Sequence, residues 1–235
     1  MTDPTGQPEL KCPFAQCGEC LYVGERQGDG AVCPACGKGR IAQIWPQVQW
    51  IGAAEDIAFL AEHKKLELLT IAVAAYFECL LHTFLYDGLY FLHEPTRVPG
   101  RCDRPDIEDA GNRFVAEQKE IRRREQVIED LFHKHKGWHR RLNDLCATVF
   151  GTCFDGLLAR HCGDVRSFVQ NRDNIHWWRN QILHRGVTLE VFWPAGLRER
   201  IPAIALDFVR QCWDVFRVLY NECIHRPWWA EKQKQ

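Results

Sequence analysis

The chain has 235 residues, of which 46% are hydrophobic and 26% charged, and it carries a formal net charge of -1 at pH 7. That is enough apolar sequence to bury a core in one ordinary domain with a small appendage, which excludes a disordered chain. Near-neutrality also excludes a protein that coats nucleic acid by bulk charge, so any RNA contact has to come from a local patch.

The amino terminus, MTDPTGQPELK, is polar and lacks the apolar stretch of a signal peptide. Five of the twelve cysteines then crowd between positions 12 and 36. Such clustering without a secretion signal favours a metal over disulfides. Cys33-Pro34-Ala35-Cys36-Gly37 is a tight turn that can aim backbone amides at sulfur, and it supplies half of a tetrahedral site. The other half reads in two ways. Cys12-Pro13 through Cys17-Gly18 repeats the Cys-Pro opening and Cys-Gly close with a longer gap, whereas Cys17 and Cys20 have the commoner two-residue spacing.

The favoured ligand set is Cys12, Cys17, Cys33 and Cys36, because Cys-Gly-x-x-Leu-Tyr-Val repeats the way many zinc ribbons leave their first knuckle; Cys20 is the alternative ligand. Leu21-Tyr22-Val23 reads as the first strand of a hairpin that turns at Gln27-Gly28-Asp29-Gly30 and returns through Ala31-Val32. The segment resembles a zinc ribbon. The expected organisation is a ribbon over residues 1–42, a connector over 43–52 and an all-α domain over 53–235. A closed four-thiolate site leaves no open position for water, so the Zn2+ is expected to be structural.

In the connector, Trp45 and Trp50 are placed to pin the ribbon to the body. From about Ala53 the period becomes helical, and Ile57, Leu60, Leu66, Leu69, Val73, Phe77, Leu80, Leu81, Phe84 and Leu85 trace an apolar face up to Glu94-Pro95. This predicts one long helix or two in tandem. Glu67, Glu78, His82 and Asp87 interrupt the run, so no membrane span is expected. Residues 95–105 form a proline-rich loop, and 106–136 read as a charged helix with a thin apolar stripe. Here Arg122, Arg123, Lys134, Lys136 and Arg140 are candidates to track an RNA phosphate backbone. Glu120, Glu125, Glu129 and Asp130 are mixed among them, so an ordinary solvated helix face is the competing reading. Residues 138–150 are a further amphipathic helix, followed by a short segment ending near Cys162. The seven cysteines outside the ribbon show no paired spacing and read as reduced residues of a cytoplasmic protein.

A helix is then expected from about Asp164, its N-cap, to Arg185, with Gly186 ending it. Asn180 and His184 fall one turn apart on a single face with Trp177, while Ile175, Trp178 and Ile182 face inward. Arg179 sits about 140° from His184 around the axis, but its long side chain can reach back toward whatever His184 touches. A histidine can exchange protons at neutral pH, and an arginine can hold a phosphate and stabilise added charge on it. Phosphodiester cleavage through a ribose 2'-hydroxyl needs those two roles. Residues 201–225 make a closing helix with Ile204, Phe208, Cys212, Val215 and Leu219 on one face, before a polar tail.

Arg179-Asn180-Gln181-Ile182-Leu183-His184-Arg185-Gly186 resembles the signature of the HEPN (higher eukaryotes and prokaryotes nucleotide-binding) superfamily. The resemblance implies a mainly α protein, a HEPN-like bundle of five or six helices beside the small zinc-ribbon hairpin. It implies a metal-independent endoribonuclease acting at a composite cleft of a homodimer, with no cofactor for catalysis. His184 would be general acid or base, Arg179 would bind the scissile phosphate, and Asn180 would position them. Many such domains carry an acidic residue on an early helix that leans toward the motif, and Glu78 is the matching position. A toxin or antiviral-defence effector, held in check by a regulatory protein partner, is the implied context. Two other readings stay open: a non-catalytic RNA- or nucleotide-binding module, and a zinc-ribbon protein that docks a partner.

Overall fold

Phe14-Ala15-Gln16-Cys17 forms strand β1 of a small antiparallel sheet in the computed structural model, which describes residues 10–26, 31–46, 53–93, 126, 138–185 and 196–234. Its alternating side chains serve two interiors. Ala15 and Cys17 face the cysteine cluster, while Phe14 joins the helical core and Gln16 Nε2 donates to the Tyr220 hydroxyl at 2.9 Å. Strand β2 (Val23–Glu25) pairs with one edge of β1 in the register Phe14↔Glu25, Ala15↔Gly24 and Gln16↔Val23. Strand β3 (Ile41–Ile44) pairs with the other, with an irregularity between Gln16 and Cys17. The sheet order is therefore β2-β1-β3.

This corrects the expected hairpin. Val23–Glu25 does not run on to pair with Ala31-Val32; it folds back through the first knuckle onto the strand that precedes it, and Val32 bridges to Arg40. The turn expected at 27–30 lies outside the described residues. Trp45 does pin the ribbon, packing edge-on against Phe14 and Tyr220 with ring centroids 6.2 and 6.4 Å away. Trp50 is outside the described residues.

The tandem alternative holds for the next segment. Helix α1 (Ala53–Glu62) ends with Lys64 in the left-handed region, φ 51°, where Lys64 N–H donates to Ala61 and Lys65 N–H to Leu60. That is a Schellman ending with lysine in the place glycine usually takes. Helix α2 (Leu66–His93) follows as the central rod. Its Phe77 lies at the centre of an aromatic cluster with Phe154, Phe168, Phe208 and Phe216, and the Tyr76 hydroxyl accepts Trp213 Nε1–H at 2.6 Å. By length and composition α2 is apolar enough to cross a membrane, but more than half of that stretch is buried inside the protein.

Helices α3 (Trp138–Phe150), α4 (Phe154–His161), α5 (Arg166–Arg185) and α6 (Leu197–Tyr220) complete the bundle, with α5 and α6 both packed on α2. The Asp164 carboxylate accepts the Arg166 amide at the start of α5, at 3.1 Å. Buried Arg172 ties α5 to α4: it bonds Asp155 at 3.2 Å and Asp173 at 2.9 Å, with its guanidinium over the Phe154 ring. The charged helix expected over 106–136 falls outside the described residues, apart from helical Gln126.

The closing helix does not stop at His225. A π-helical turn, Asn221–His225, carries it into α7 (Arg226–Lys232). Pro227 has no N–H to offer an α-helix, and just before it the Arg226 amide bonds the Asn221 carbonyl with the wider π spacing. The supposedly polar tail is held by its tryptophans: Trp228 meets Phe91 edge-on, and Trp229 packs on the cysteine cluster. Counting α6, the π turn and α7 as one rod, the described residues contain six helical rods.

Candidate functional site

Two knuckles bring four cysteines together. Cys17 and Cys20 lie on the first and Cys33 and Cys36 on the second, and the four sulfurs are all within 4.8 Å of one another. Cys17 and Cys36 Sγ are 3.8 Å apart, and Cys20 and Cys33 Sγ 3.6 Å. Tetrahedral zinc with Zn–S near ~2.3 Å requires sulfurs about 3.8 Å apart, so the donor set and its spacing fit such an ion.

The two turns have the same backbone plan. Leu21 N–H donates to the Cys17 carbonyl at 3.0 Å and Gly37 N–H to that of Cys33 at 2.8 Å, and both Leu21 and Gly37 have φ 66°. Gly39 N–H points at Cys36 Sγ from 3.3 Å. A side chain at Gly39 has no room, since its Cβ would lie 2.5 Å from Cys17 Sγ.

The favoured ligand set is thereby corrected: Cys20, the alternative, belongs to the group and Cys12 does not. A two-residue gap lets one turn present both sulfurs, whereas Cys12 lies before the start of β1 and Cys17 at its end. Cys12 packs against the helical core instead, where burial pushes its thiol up to about 11. Within the cluster, burial raises Cys20 and Cys33. At Cys36 burial also acts upward but is outweighed by the amides of Gly39 and Lys38 and by neighbouring thiols, which hold it down to about 7. None of the cysteines among the described residues is in a disulfide.

The second candidate lies on α5. Ile175 and Trp178 are buried and Ile182 packs against the same core, as the period predicts. Trp177 and His184 are exposed on the opposite stripe, with Arg179 and Asn180 half-buried between. The structure brings two of the motif residues into contact: Arg179 Nη1 donates to Asn180 Oδ1 at 3.1 Å. His184 stands one turn beyond Asn180. Glu78, on α2, has Oε1 3.8 Å from Nε2 of buried His176. His176 went unremarked in the sequence although it stands one turn before Asn180; what distinguishes it is burial against a carboxylate from another helix, which spacing cannot reveal.

Of the residues expected on an RNA path, Arg122, Arg123, Lys134 and Lys136 lie outside the described residues. Arg140 is on α3, with its side chain outside the description. Compared with family models, curated proteins and solved structures, the chain matches none. The likeness to HEPN domains therefore rests on the motif and on the helical setting in which it stands.

Proposed function

We propose that this protein is a metal-independent endoribonuclease of HEPN type, built on a helical body to which a structural zinc ribbon is attached. The observation that carries the reading is the Arg179–Asn180 hydrogen bond beside solvent-facing His184 on one helix. Asn180 restrains a guanidinium that would otherwise be free to rotate, leaving its remaining N–H groups for a phosphate.

In the proposed reaction the ribose 2'-oxygen attacks phosphorus, a base removes the 2'-proton, and the bond to the 5'-oxygen breaks as an acid protonates that oxygen. The products are a 2',3'-cyclic phosphate and a 5'-hydroxyl. Arg179 stabilises the charge that builds on the phosphoryl oxygens. His184 serves as base or acid, and a homodimer supplies the second His184 for the opposite role. The ribbon's Cys17, Cys20, Cys33 and Cys36 hold Zn2+ with no open coordination position, so the ion supports the fold and takes no part in cleavage. A cytoplasmic toxin or antiviral effector under the control of a protein partner is the proposed context.

The test is incubation of the purified protein with end-labelled single-stranded RNA and with tRNA, in EDTA, beside folded Arg179→Ala and His184→Ala variants. The parent is expected to leave cyclic phosphate ends and the variants to lose at least about 100-fold in rate. Equal cutting by the variants refutes the assignment. An inert parent that still retains RNA through Arg179 would favour the binding-module reading.

A further inference from the structure

The two knuckles share a backbone plan but differ in the residue that takes the left-handed position. The second turns through Gly37; the first makes the same left-handed turn through Leu21. A Cβ disfavours that conformation, and glycine carries no such penalty. The first knuckle is therefore the more strained half of the metal site; bonds within the ribbon hold it, from Leu21 N–H to the Cys17 carbonyl and from Gln16 Nε2 to the Leu21 carbonyl at 3.2 Å, and contacts from outside the ribbon add to them.

The terminal helical rod reaches it. His225 Nδ1 lies 2.6 Å from the Cys20 carbonyl, the carbonyl of the peptide that joins Cys20 to Leu21. A carbonyl oxygen only accepts, so Nδ1 carries the proton and donates. The imidazole is buried and sits edge-on to Tyr22, with ring centroids 5.5 Å apart. One turn earlier Asn221 grips the exit from the same knuckle at both ends of one residue: Oδ1 accepts Val23 N–H at 2.9 Å and Nδ2 donates to the Val23 carbonyl at 2.8 Å. Asn221 and His225 bound the π-helical turn, so the irregular turn of that rod faces the left-handed turn at Leu21. Leu21 itself packs on the helical core, a contact that glycine would forgo.

We propose that His225 is a positioning residue of the metal site: it holds the Cys20–Leu21 peptide in the left-handed turn, so metal retention by the ribbon depends on the helical body. The proposal rests on the zinc part of the function above and is independent of the nuclease. Mutating groups that hydrogen-bond metal-ligating residues typically costs about 10–100-fold in metal affinity, and His225 acts on such a residue through its main-chain carbonyl.

The experiment uses full-length protein. Zinc content is measured first by atomic absorption, and the rate of zinc transfer to an excess of chromophoric chelator follows. His225→Ala is expected to release zinc at least about tenfold faster than the parent. His225→Asn, which keeps a donor where Nδ1 stood, should stay close to the parent rate. Leu21→Gly removes the strain, so placed in the His225→Ala protein it should restore most of the retention; a purely structural role for the histidine would not produce that rescue. Equal release from parent and His225→Ala overturns the proposal, as does fast release that Leu21→Gly leaves unchanged. A parent that binds no zinc would overturn the metal assignment itself.

Discussion

Asp87 is expected to make the fold less stable as pH rises from about 4 to about 6. It lies on α2, in an otherwise apolar stretch, where burial lifts its carboxyl from the ordinary 3.8 to about 6 against the opposing effect of a hydrogen bond from Tyr220. The Tyr220 hydroxyl accepts from Gln16, so its single proton is free to go to Asp87, and the three side chains link the ribbon, α6 and α2. Because the folded carboxyl binds its proton more tightly than the unfolded one, the unfolded state deprotonates first as pH rises. The contribution of Asp87 to stability is therefore greatest below about pH 4 and is lost up to about pH 6. At ~1.4 kcal/mol per pH unit the cost at neutral pH is roughly 2–3 kcal/mol, and roughly half of it develops between pH 5 and 7.5.

Asp87→Asn keeps an oxygen for Tyr220 but cannot ionise. Urea unfolding of parent and variant at matched pH values isolates this group from the pH dependence of the metal thiolates, since those are common to both proteins. The variant should be the more stable at pH 7.5 by about 2–3 kcal/mol, with a clearly smaller advantage at pH 5. A difference independent of pH, or one that grows on acidification, would refute the reasoning.

At Gly39, alanine would drive its Cβ into Cys17 Sγ at 2.5 Å and into Glu19 Cγ and Cβ at 2.8 and 2.9 Å. Zinc stoichiometry by atomic absorption should therefore fall well below that of the parent, and a fully loaded Gly39→Ala protein would contradict the ligand geometry. At Gly88, in α2, a new Cβ would meet Phe150 Cζ at 2.5 Å and Val149 Cγ1 at 3.0 Å. Phe150 is stacked on Phe84 and cannot tilt without losing that contact. Overpacking costs about 1–3 kcal/mol, against a helix-propensity gain of ~1 kcal/mol, so Gly88→Ala should lower the denaturation midpoint; a raised midpoint would show that the ring yields freely.

Much of this architecture is local and was legible in order. Helical period alone separated buried Ile175 and Trp178 from exposed Trp177 and His184, and it found the apolar faces of α2 and α6. Cysteine spacing located a metal-type cluster, and the second knuckle, with its own glycine, was read correctly. The first knuckle was harder because Leu21 stands where a glycine would have marked the turn. The Cys17–Cys20 spacing marks a turn there, but without a glycine at position 21 it does not show that the chain returns along Phe14–Cys17 to pair with it.

What the amino-acid sequence determined by itself was whatever depends on near neighbours: which segments are helical, which face turns inward, and which residue types could hold a metal or meet a phosphate. Tertiary structure alone decided the pairing of Glu78 with His176 and the grip of Asn221 and His225 on a ribbon some two hundred residues earlier. Those outcomes depend on distances across space, which the folded core sets once the helices have packed, and no periodicity along the chain encodes them.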